Sequence, residues 1–136
     1  MNFKREIPKI PAPIAQFFLR VPVSILFLQQ GFSKLPVTGE NPYGLPSIVW
    51  WFVTLGEIGA GIGIILGGLM GFKYLTSLGD LITRFSGITM ACIITGVIWI
   101  SYPPDLITVL IYDYLHVILY FVGVYFALAG NAKWSS

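Results

Sequence analysis

Four apolar stretches, each about as long as a bilayer is thick, constrain this sequence more than anything else in it. A helical span needs ~20 mostly apolar residues at ~1.5 Å rise each. Stretches 14–32, 47–70, 82–100 and 106–129 meet that requirement. Lipid offers the backbone no hydrogen-bond partners, so each stretch has to be helical. A soluble bundle is excluded because helices that are apolar all round would have no solvated face. A mean hydropathy of +0.81 agrees, as do 56% hydrophobic and 10% charged residues; these values lie outside the usual soluble range. We therefore expect an all-α membrane protein, a four-transmembrane-helix bundle. A chain of 136 residues is one domain. It divides into an N-terminal arm over 1–13, a membrane domain over 14–130 and a tail over 131–136. We expect no cleavable leader, because the first apolar run is too long for a signal-peptide core and lacks a small-x-small site.

The connectors read as loops for local reasons. Pro36, Gly39, Asn41-Pro42, Gly44 and Pro46 break helix between the first two stretches. Residues 71–80 are short and polar, and Tyr102-Pro103-Pro104-Asp105 is a tight turn in which Asp105 is placed to cap the next helix. Lys4, Arg5 and Lys9 precede the first span, Lys73 and Arg84 flank the second connector, and Lys133 follows the last span. An even number of spans puts all of these on one side, opposite Lys34 alone, so the expected topology is N-in/C-in. Tyr43, Trp50, Trp51, Trp99 and Tyr102 would form the outer aromatic belt, with Trp134 at the inner interface. The net charge of +2 and the lack of a basic stripe exclude a nucleic-acid partner. Cys92 is the only cysteine, which excludes an internal disulfide, a dithiol pair or a cysteine-ligated metal within one chain.

Charged residues inside the spans are the main functional signal. Each costs roughly 2.5–3.5 kcal/mol at the bilayer centre on insertion scales, so they face the bundle interior and find partners. Counting rise along spans two and four puts Glu57, Asp113 and His116 in one layer, roughly 10–15 Å below the outer boundary. Asp113 and His116, three apart, share a helix face, with Tyr112 and Tyr120 one turn either side of His116. Gln29 and Gln30 reach this layer from span one. Arg20 is placed to pair with Glu57. Arg84 is expected either to anchor its helix end or to pair with Asp113, as a faint echo of the first pair. Two readings stay open for the layer: a polar network that fixes helix register, or a site for a polar head group or a proton path. In span two, Gly59, Gly63 and Gly67 form small-xxx-small steps suited to a neighbouring helix or a second subunit.

These residues resemble the DoxX/DoxD-like family of integral membrane proteins over about 18–130. The family pattern has an early arginine in helix one and a Gly-x-x-Lys at its end, here Arg20 and Gly31-Phe32-Ser33-Lys34. A Gly-Leu-Pro turn follows, here Gly44-Leu45-Pro46. Helix two carries a glutamate and small residues, here Glu57, Gly61 and Gly67, and an arginine opens helix three, here Arg84. The resemblance implies a four-helix bundle in the cytoplasmic membrane of a bacterium or archaeon. It also implies association with redox systems, as subunits of quinol oxidase or thiosulfate:quinone oxidoreductase complexes or as a membrane partner in thiol stress defence. Two departures stand out. Gln30 occupies a position where many relatives carry histidine, and without a dithiol any thiol chemistry would need a partner.

Three functions from different classes fit. One is a redox-associated subunit that binds a quinone through Gln30, Glu57, Tyr112, Asp113 and His116, with histidine able to titrate near neutral pH. Such a subunit is accessory rather than demonstrably catalytic. The second is a structural or assembly subunit of a larger membrane complex, or a homo-oligomer. The third, ranked lowest, is a small oligomeric transporter, because no broken helix pair is legible. Haem is disfavoured, since a single histidine cannot supply bis-histidine ligation.

Overall fold

The computed structural model describes residues 7–72 and 75–134. Its regular structure is α1 (Ala12–Ser33), α2 (Ser47–Met70), α3 (Thr76–Ile100), α4 (Leu106–Tyr112) and α5 (Tyr114–Ala129). Pro13 lies in the first turn of α1, where a missing N–H costs nothing. Pro46 directly precedes α2 and Gly71 follows it, so both ends fall where the apolar pattern puts them. α3 starts at Thr76 rather than 82, and Gly79 and Asp80 belong to the helix rather than to a connector. The polar turn stays helical because Asp80 accepts from Arg84 Nε one turn later at 2.8 Å.

Three helices, α1 to α3, are long and apolar enough to cross a membrane, which is the make-up of an integral membrane protein. α4 and α5 pass the same test only as a pair, and the pair is bent by 97°. The single helix expected over 106–129 is therefore broken, at Asp113, whose φ of −101° and ψ of 46° leave the helical region. Neither proline nor glycine is responsible. The Asp113 carboxylate closes a short contact with His116 Nδ1 at 2.6 Å, and aspartate favours such local bonds over helix interior positions. Asp105 does cap a helix, accepting from the Thr108 N–H at 2.7 Å, but the helix is the short α4. α5 alone covers about 24 Å, less than the ~30 Å of a hydrocarbon core.

α2 packs against α1 and α3, α3 packs against α5, and α4 rests on α5. Glycines set these distances. A Cβ at Gly87 or Gly123 would meet main-chain atoms of the opposite helix, so α3 and α5 touch backbone to backbone there. Gly63 and Gly67 are spent on α3, against Ser86 and Thr83, while Gly59 faces open space. The core runs through Val23, Phe27, Ala60, Ile64, Met90, Ile94, Leu119 and Phe126.

Gln16 near the start of α1 bonds to the Gly130 carbonyl and accepts from the Ala132 N–H. The start of α1 and the segment after α5 thus lie at one end of the bundle, the terminal end. The α1–α2 loop and the α3–α4 turn lie at the other, the loop end. Of the basic residues used to orient the chain, Lys4, Arg5 and Lys73 lie outside the described residues.

Candidate functional site

A cavity of about 550 Å3 occupies the loop-end half of the bundle. Its walls are mainly apolar, from Leu26 and Phe27 on α1, Val53 on α2, Ile94 and Val97 on α3, and Leu115 and Leu119 on α5. Its polar side chains include Gln30, Lys34, Glu57 and His116, with Tyr43, Trp50, Cys92 and Ser101 also in the lining. Three of the residues singled out in the sequence, Gln30, Glu57 and His116, therefore line one space although they come from three helices. Gly31 lets this happen: its missing side chain admits Glu57 and Ile58 of α2 against α1. The cavity is roofed by the α1–α2 loop. Asn41 braces that loop, accepting from the Tyr43 and Leu45 N–H groups at 3.1 and 2.9 Å and donating to the Leu45 carbonyl at 2.7 Å. Tyr43 then stacks beside Trp50, with ring centres 5.9 Å apart.

Glu57 is paired, but not with Arg20. Lys34 Nζ donates to Glu57 Oε2 at 2.7 Å, and the side chains are 13% and 6% exposed. Lys34 also donates to the Gln30 carbonyl at 3.0 Å and lies 5.5 Å from the centre of the Trp50 ring. The expected Arg20 pairing fails because Arg20 sits at the terminal end, at the level of Ile64 and Gly68, two turns or more from Glu57. The second expected pair, Arg84 with Asp113, fails for the same reason. Arg84 instead bonds Asp80 and donates to the Ala127, Leu128 and Ala129 carbonyls. A cation there satisfies the exposed carbonyls at the end of α5 and complements its dipole.

His116 stands in the first turn of α5, with Nδ1 held by Asp113. Asp113 does not line the cavity; it orients the ring that does. When Nδ1 keeps its proton for Asp113, Nε2 presents a lone pair, and it presents a second N–H when the ring is charged. Tyr112 is not part of the site. It belongs to α4, on the far side of the break, and is 76% exposed. Tyr120 and Gln29 do not line the cavity either. Among the described residues, no group of three His, Cys, Asp or Glu side chains is placed to hold a metal ion.

The sequence reading missed a second polar cluster, around Arg20 at the terminal end. The Arg20 side chain is 1% exposed. It donates to the Ile64 carbonyl at 2.5 Å, Thr83 Oγ1 at 3.1 Å, Gln16 Oε1 at 3.2 Å and Asn131 Oδ1 at 2.6 Å. Its cation also lies 5.0 Å from the centre of the Phe126 ring. Asn131 completes the clasp: its N–H donates to Asp80 Oδ1, its Nδ2 to the Gly67 carbonyl, and its Oδ1 accepts from Thr83. α1, α2 and α3 are thereby all tied to the segment after α5. Gln16 and Arg20 at i,i+4 spacing were a visible signal; Asn131, beyond the last apolar stretch, carried none. Every Arg20 partner is neutral and comes from the chain itself, so this cluster reads as structural.

The cavity joins donors (the Gln30 amide, Lys34, charged His116) to acceptors (Glu57, neutral His116) at the foot of an apolar chamber. That combination suits a lipid-soluble molecule with a small oxygen-bearing head. Comparison with family models, curated proteins and solved structures finds no match for this chain.

Proposed function

We propose that this protein is a four-span, N-in/C-in, DoxX-like subunit of a redox system in the cytoplasmic membrane of a bacterium or archaeon. In this reading the loop-end cavity binds a quinone head group. The single observation that carries it is that Gln30, Lys34, Glu57 and His116 converge on one mainly apolar cavity. Quinone carbonyls need hydrogen-bond donors, which the Gln30 amide supplies, as does His116 Nε2 when the ring is charged. A quinone brings two-electron redox chemistry when bound. His116 and Glu57 are two cavity groups able to take or give a proton, and Asp113 holds the ring of His116 in place. The electrons come from a partner subunit. In this reading the bent α4–α5 pair is the fourth span, and the excess of lysine and arginine outside the α1–α2 loop and the α3–α4 turn supports a cytoplasmic terminal end.

An assembly role is the second reading, favoured by α4, whose Leu106, Ile107, Ile111 and Tyr112 are all exposed. The deciding experiment uses the intact protein in lipid nanodiscs. Trp50 lines the cavity, so quinone binding should quench tryptophan fluorescence. His116→Ala and Gln30→Ala should each weaken binding by about tenfold or more. Failure of the unmodified protein to bind any quinone would leave the assembly reading standing.

A further inference from the structure

The walls of the loop-end cavity are unequal. α1, α2 and α3 each continue past the level of His116 toward the loop end, and α2 packs closely against both of its neighbours. α5 does not continue, because the chain turns away by 97° at Asp113. With Gly87 facing Gly123, counting outward places the start of α5 near Gly96, roughly one turn short of the end of α3. α1 and α5 also do not pack closely on each other. Toward the terminal end they are bridged by side chains: Gln16 to Tyr125 at 3.0 Å and Arg20 across Phe126. Toward the loop end no hydrogen bond joins them among the described residues.

Side chains along the α1–α5 seam become more exposed toward the loop end. Phe27 and Leu119, deep in the cavity, are 2% and 5% exposed, whereas Leu115, one turn nearer the loop end, is 48% exposed. Gln30, facing that level from α1, is exposed as well. Above the chamber, Tyr43, Leu45 and Trp50 form the roof, and the Asn41 bonds hold the loop in that shape. The α1–α2 loop lies over the loop end of the chamber, and α1 and α5 do not close on each other along its flank.

We infer that the ligand of this cavity carries an apolar tail and enters sideways from the bilayer between α1 and α5, with Leu26 and Leu115 forming the threshold. The inference rests on the quinone reading and extends it, naming tailed quinones as the substrate class and the membrane as their source. The head group passes the threshold to reach Gln30 and His116, and the tail stays in the seam, against side chains that are already apolar. A tail so placed exchanges one apolar surrounding for another, so it stays in the seam at little cost while the polar head sits in the cavity.

The test uses the full chain in nanodiscs of one lipid composition and two probes: a methoxy-substituted benzoquinone without a tail, and the same head with a decyl tail. Both should bind the unmodified protein. Leu26→Trp and Leu115→Trp narrow the threshold. Each should weaken the decyl probe about tenfold more than it weakens the tail-less probe. Partition of the tail into lipid is the same for every variant, so it cancels in this comparison. Leu128→Trp, on the exposed flank of α5, serves as a control and should change neither affinity. If both probes bind and the two threshold variants treat them alike, the lateral route is wrong and the quinone site stands. If neither probe binds the unmodified protein, the quinone site falls and this inference falls with it.

Discussion

Lys34 reaches from the last turn of α1 to Glu57 on α2 and closes a 2.7 Å ion pair at the rim of the loop-end cavity. Both side chains are largely withdrawn from the surface. Removing one partner of a buried pair typically costs about 3–5 kcal/mol, because the other charge is left uncompensated. Glu57→Leu and Lys34→Leu should each lower stability on that scale, and the double variant should lose clearly less than the sum. Glu57→Gln keeps an acceptor for Lys34 and should cost less than Glu57→Leu. Glu57→Leu combined with Arg20→Leu should be additive within about 0.5 kcal/mol. Coupling between Arg20 and Glu57 in detergent unfolding would contradict the pairing described here.

Arg20 should behave as a structural hub. Lysine lacks the planar fork that serves Ile64, Thr83, Gln16 and Asn131 together. Arg20→Lys should therefore be poorly tolerated, and Asn131→Ala should cost about 1–3 kcal/mol by stranding buried partners. Thermal unfolding of these variants is the measurement. Quinone affinity of whatever folded protein remains should be unchanged, since none of these groups lines the loop-end cavity.

His116 and Asp113 should separate binding from stability. His116→Ala should lower quinone affinity by about tenfold or more while shifting the melting temperature little, because the ring packs at a cavity rather than in the core. Asp113→Asn keeps a side chain able to hold Nδ1 and should weaken binding less than His116→Ala. Both variants losing stability while binding quinone at full affinity would return His116 to a structural role.

Backbone contact between α3 and α5 gives a third kind of test. At Gly87 a methyl group would run into the Gly123 carbonyl and the Ala127 N–H. Overpacking of this sort typically costs about 1–3 kcal/mol, and main chain cannot swing aside as a side chain can. Gly87→Ala should fall at or above that range, whereas Gly59→Ala, with nothing near it, should be neutral or slightly stabilising in a helix interior. Equal melting temperatures for the two variants would refute the close approach.

Topology is testable with a single thiol. Cys92 is exposed, so the background is Cys92→Ser. In it, Thr38→Cys in the α1–α2 loop should label with a membrane-impermeant maleimide from outside intact cells, and Lys133→Cys only after lysis. The reverse pattern would invert the proposed orientation.

Length and hydropathy alone determined that the chain is helical and built to sit in a bilayer, because a run of about 20 apolar residues has few other outcomes. They also located α2, whose ends carry proline and glycine, and they put Glu57 and His116 at matching heights. Height is what rise per residue measures. It does not say which way a side chain points around its axis or how far a neighbouring helix has slid, so Glu57 was matched with Arg20 when Lys34 was the group within reach. The break at Asp113 was equally illegible, since Leu106 to Ala129 is mainly apolar, with no proline and a single glycine far from the break, and aspartate only weakly disfavours helix. The local bond from Asp113 to His116, together with the packing of α5 on α3, ends the helix there, and that packing depends on where the other helices stand. Only the tertiary structure therefore turned a row of polar residues into two separate places: a buried clasp around Arg20, and a mainly apolar cavity shared by Gln30, Lys34, Glu57 and His116.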